Sequence, residues 1–133
     1  MGYYLQLYAI TLTGFLAIDM VWLAVVARGF YRDRLGFLLA EQPNWYAAVI
    51  FYLLFIVGLL VFVVVPALQA DSWRKLLMLA ALFGLVTYAT YDLTNHATVR
   101  NWPWIVTLVD LTWGVVLSTA VSSIAFLAGR WLR

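Results

Sequence analysis

Four long apolar runs alternate with three short polar links along this chain. About 20 apolar residues suffice to cross a bilayer as a helix rising 1.5 Å per residue. The pattern predicts spanning helices over residues 4–27, 45–68, 76–98 and 104–127. Arg28 closes the first run, and Arg32, Asp33 and Arg34 follow it. Residues 30–41 mix aromatic, charged and leucine side chains, a composition that suits a short interfacial helix as well as a plain connector. Pro43 and Asn44 reset the chain, and Trp45 and Tyr46 stand where an aromatic belt belongs. Pro66, late in the second run, predicts its closing turn.

Composition removes the soluble alternative. Of 133 residues, 66% are hydrophobic and only 11% charged, too few to coat a water-soluble domain. The expected fold is an all-α integral membrane protein: one four-transmembrane-helix bundle over 1–133, with both termini on the same side. The first run lacks a basic leader and a small-residue cleavage site, so it reads as a retained helix. Cysteine is absent, which excludes disulfides, thiolate metal sites and a cysteine nucleophile. The net charge of +2 comes from basic residues scattered over the link ends, so no nucleic-acid surface is expected. Arg74, Lys75, Arg130 and Arg133 fall on the side of the termini, and Arg28, Arg32, Arg34 and Arg100 on the other. The positive-inside rule is tied, and it selects no orientation. A fixed topology set by other signals is the plainer reading of such a tie, and dual insertion as antiparallel pairs, a homodimer, is the sharper one.

Three of the six acids interrupt apolar runs: Asp19, Asp92 and Asp110. A central Asp costs roughly 2.5–3.5 kcal/mol to insert, so three facing lipid would cost on the order of 10 kcal/mol. They are expected to face the bundle interior. Asp19 precedes Arg28 by nine residues, Asp92 precedes Arg100 by eight, and Asp110 follows Pro103 by seven. Each should therefore lie roughly 10–14 Å below the same membrane boundary. Tyr88, Asp92 and Asn95 share a helix face, as do Asp19 and Trp22. Thr107, Asp110, Gly114, Ser118 and Ser122 form a row in the fourth helix, with Trp113 one turn from the acid. Tyr52 is the best polar candidate of the second helix, and Asn44, Trp45, Asn101 and Trp102 are candidates for a rim. No Lys or Arg lies inside a run to neutralise the acids. Ionised together they would repel, so the cluster should keep a proton or take a cation.

Several chemistries fit. The expected ligand-binding residues are Asp19, Trp22, Tyr88, Asp92, Asn95, Asp110 and Trp113, lining a pocket for a small amphiphilic or cationic ligand, or part of a lipid. A proton-coupled small-solute transporter uses the same acids, and four helices would then require a dimer. A divalent metal would take Asp19, Asp92 and Asp110, with Asn95 or His96 added, and would suit an enzyme acting on a lipid or isoprenoid phosphate. Against an enzyme, only Arg28 and Arg100 approach the layer, one histidine assembles no triad, and no glycine-rich phosphate loop is present. The sequence names no cofactor. His96 reads first as an interfacial polar residue.

The runs LLAEQPNW at 38–45, ALFGLVTYATYDLTNHAT at 81–98, NWP at 101–103 and TLVDLTWG at 107–114 resemble the bacterial membrane family known as domain of unknown function 2177. Asp19 with Trp22, followed by FYRDRLG at 30–36, is similar to it too. The resemblance covers nearly the whole chain. It implies a multi-pass four-helix protein of the bacterial cytoplasmic membrane and implies no reaction. A regular histidine at position 96 is not part of the family pattern.

Overall fold

The computed structural model describes residues 2–133, and the described residues form helices and links with no strand. Four helices, α1 (Gly2–Leu35), α2 (Trp45–Gln69), α3 (Trp73–Thr98) and α4 (Trp104–Leu132), are each long and apolar enough to cross a membrane. Local chemistry starts and stops them. The Asn44 side chain accepts a hydrogen bond from the Ala47 amide at 3.2 Å, and Ser72 accepts one from Lys75 at 3.1 Å. Asp71 and Asn101 take positive φ angles of 47° and 61°, which turn the two tightest links.

Two helices depart from the simple pattern. The sequence predicts that the first helix ends at Ala27 and allows a separate interfacial helix over 30–41. Instead α1 continues past Arg28 to Leu35, and no helix covers 36–44. The continuation is bought by packing: Leu35 is buried with Trp102 and Val106, and Phe30 and Tyr31 lie against that cluster. A wide π-type turn at Trp22–Val26 joins the two parts of α1. In α2, Pro66 lies in the closing turn as expected, and the helix ends at Gln69. A second π-type turn at Leu60–Val64 lies just ahead of Pro66. It gives room where the proline ring would press on the carbonyl four residues back.

The bundle is solid at one end and hollow at the other. At the solid end the Tyr3 hydroxyl donates to the Gly129 carbonyl at 3.0 Å, and the Arg133 guanidinium donates to the Leu68 carbonyl at 2.7 Å. Both chain ends and the α2–α3 link therefore meet there. Leu7, Phe15, Ile56, Leu59, Leu76, Leu117, Val121 and Phe126 fill the space behind them. Outward-facing side chains are largely apolar on every helix, as a hydrocarbon solvent requires.

Helices α3 and α4 pack most closely. Their contact is made by two glycines. A Cβ on Gly114 would stand 2.5 Å from Tyr88 Cγ and 2.8 Å from the Gly84 carbonyl oxygen, and a Cβ on Gly84 would overlap the Gly114 carbonyl. Small residues are how membrane helices approach when no hydrophobic force separates lipid from protein. Gly114→Leu should push the pair apart and cost upwards of about 1–3 kcal/mol. Gly29→Ala, at a position with nothing within 4 Å, should change stability by less than about 0.5 kcal/mol. Denaturant titration of the detergent-solubilised protein measures both.

Candidate functional site: an acidic, aromatic cavity

The glycine crossing sets the layer beyond it. Asp92 lies two turns along α3 from Gly84, and Asp110 lies one turn before Gly114 on the antiparallel α4. Together with Asp19 of α1 they border one cavity of about 490 Å³. Asp92 is fully buried, and Asp19 and Asp110 are each 7% exposed. Among the described residues no Lys, Arg or His lines this space.

Two of the three acids have protein donors. The Tyr31 hydroxyl donates to Asp110 Oδ1. The Trp113 indole N–H donates to Asp19 Oδ1 at 3.4 Å. Asp92 differs: no tyrosine, tryptophan or backbone donor among the described residues reaches its carboxyl oxygens, and its hydrogen-bonding neighbour is the Asp110 carboxyl, so the two acids can share one proton. A buried carboxyl without such a donor costs free energy until something pairs with it.

Aromatic rings form much of the remaining wall. Trp22 and Trp113 stack with centroids 4.2 Å apart and planes 9° from parallel. Tyr52 and Tyr88 face the same space, with Phe51 and Tyr91 at its margin. Leu23, Leu35 and Leu39 complete it on the apolar side.

Six of the seven residues expected to bind a ligand therefore border a single cavity: Asp19, Trp22, Tyr88, Asp92, Asp110 and Trp113. Asn95 does not. It shares the face of Tyr88 but stands nearly a turn beyond Asp92, where the Leu35–Trp102–Val106 cluster closes the bundle end. His96 belongs to a separate polar group: its Nδ1 lies 3.2 Å from Thr107 Oγ1, which accepts from the Trp102 indole at 3.0 Å. The rim candidates are used otherwise. Asn44 caps α2, Asn101 turns a link, and Trp102 is buried. Among the described residues no group of three His, Cys, Asp or Glu side chains is arranged to hold a metal ion. Donors from Tyr31 and Trp113 separate the roles of the acids that a metal would need to share.

Tyr31 is the site residue that sequence reasoning missed. Asp19 and Tyr31 are twelve residues apart, and a regular α-helix would leave them about 120° apart around its axis. The π-type turn at Trp22–Val26 absorbs one residue and reduces that offset to about 20°. The only signal in the sequence was the FYRDRLG run itself, which carries three charges in a row and reads as a connector.

Residues 4–127 match a family profile described as "Predicted membrane protein (DUF2177)". The chain belongs to this family. No curated protein and no solved structure matches it. The DUF2177 match spans every residue that borders the cavity, Tyr31 included.

The stacked indoles offer a direct check on this geometry. Trp22→Leu should abolish the exciton couplet of the Trp22–Trp113 pair in the circular dichroism spectrum and destabilise the bundle by about 0.5–1.5 kcal/mol. A couplet that persists in the variant would show that the two rings are not coupled.

Proposed function

We propose that this protein is a membrane-embedded binding protein for an amphiphile with a cationic, ammonium-type head group, acting in the bacterial cytoplasmic membrane. The observation that carries the reading is Asp92, a fully buried carboxyl paired only with the second acid Asp110, in a cavity lined by acids and aromatic rings. A cation placed there gains the Coulombic attraction of the acid layer, strengthened by low dielectric. It also gains the quadrupoles of Trp22, Trp113, Tyr52 and Tyr88, the arrangement by which aromatic cages hold quaternary ammonium groups. The cavity volume of about 490 Å³ falls within the usual span of small-molecule sites. Location in a bacterial membrane rests on the likeness of the motifs to a bacterial family.

The head group alone tests the reading. Tetramethylammonium added to the protein in nanodiscs should perturb the fluorescence of the Trp22–Trp113 pair. Asp92→Asn, which keeps shape and removes charge, should weaken that binding at least tenfold, about 1.4 kcal/mol. Failure of tetramethylammonium to bind, or equal binding by Asp92→Asn, would overturn it.

Protons and cations compete for the same carboxyl oxygens, so tetramethylammonium affinity should fall as the pH is lowered. A fluorescence titration repeated at descending pH reads the effect. Affinity that is flat or rises in acid would show that the carboxyls do not hold the cation.

A further inference from the structure

We infer that the ligand reaches this cavity sideways from the lipid, through a gap between α2 and α3, and that it is an ammonium amphiphile whose alkyl chain lies in that gap; this rests on the head-group reading above. Three features of the bundle point there.

The two ends of the bundle are shut. Toward the chain termini, Leu7, Phe15, Ile56, Leu59 and Leu117 are packed without exposure above 1%. Toward the other end, Leu35 is sealed with Trp102 and Val106, and Tyr31 is tied to Asp110. The side is not shut. The second half of α2 meets α3, beginning where Phe55 packs on Phe83 at 5.4 Å and Gly58 lies under the same ring. The first half of α2 leans on α1 instead: the Tyr8 hydroxyl donates to the Leu53 carbonyl at 2.9 Å, and Phe15 packs on Tyr52 at 5.5 Å. Ala48 and Phe51 of α2 and Thr87 and Tyr91 of α3 all border the cavity, and Phe51 and Tyr91 are 49% and 59% exposed.

The chemistry is graded along that opening. The buried acids lie at its inner end, while Leu39 and Phe51 at its outer margin are apolar and half exposed. The space of about 490 Å³ is also larger than a bare ion needs. An inner acid layer with an apolar exit fits a charged head followed by a hydrocarbon chain. A hydrophilic cation arriving from water would not need an apolar exit facing hydrocarbon.

A trimethylammonium amphiphile with a photoactivatable diazirine at the end of a dodecyl chain tests the passage, using the full chain in nanodiscs. Labelling should fall on residues of α2 and α3 that flank Ala48, Phe51, Thr87 and Tyr91. Excess tetramethylammonium should chase it, and Asp92→Asn should reduce it at least tenfold. Ala48→Trp, which narrows the gap without touching an acid, should cut labelling by a similar factor. Labelling on link 99–103, or none at all while tetramethylammonium still binds, would overturn the lateral passage and leave the head-group reading standing. If tetramethylammonium does not bind either, both readings fall. Should Ala48→Trp fail to fold, Thr87→Leu on the opposite wall takes its place, and the label map alone decides between the side and the end.

Discussion

The contact of Gly84 with Gly114 is the constraint on which the rest of this bundle depends. With no side chain on either, the α3 and α4 backbones come close enough for Tyr88 to lie over Gly114. The helices are antiparallel, so the same crossing carries Asp92 and Asp110 into one layer. A methyl group at either glycine would meet backbone or an aromatic ring, and neither yields cheaply. Packing at one level thus dictates electrostatics at the next.

Hydrocarbon as solvent explains why that layer is built as it is. In lipid no water can satisfy an exposed carboxyl, so acids turn inward and recruit donors from the helices around them. Tyr31 serves Asp110 and Trp113 serves Asp19, each from a different helix than its acid. Asp92 has only the Asp110 carboxyl beside it. The buried hydroxyls of Ser118 and Ser122 are unpartnered, but they sit in tightly packed helix contact rather than at the cavity wall. Asp92 is thereby distinguished by position as much as by charge.

The π-type turn in α1 links a local backbone feature to this site. A regular helix would aim Tyr31 away from the face that carries Asp19. One residue taken up at Trp22–Val26 rotates the last turns of α1 so that Tyr31 faces Asp110 and Leu35 joins the seal made by Trp102 and Val106. Wide turns of this kind recur at functional sites because they re-aim a side chain without breaking a helix. Membership of DUF2177 covers both the turn and the cavity it completes, and leaves the activity to be read from the geometry.

The sequence by itself determined the membrane class, the number of helices and the presence of acids in three of them. These follow from run length and from the cost of charge in hydrocarbon, which are local properties. It also determined the row Asp110, Gly114, Ser118 and Ser122, because helical periodicity alone places them on one face, and all four are buried. Tertiary structure decided what periodicity cannot carry. A helix that looked finished at Ala27 continues because Leu35 finds partners 67 and 71 positions later, at Trp102 and Val106. Tyr31 enters the site because one inserted residue changes the helical phase, and regular periodicity contains no such insertion. Asn95 falls outside although its face is right, because the depth of the cavity is set by where the seal forms. The four-helix bundle with acids facing inward was legible in the sequence; which acids draw a tyrosine or tryptophan donor, and which pair with each other, belong to packing between helices.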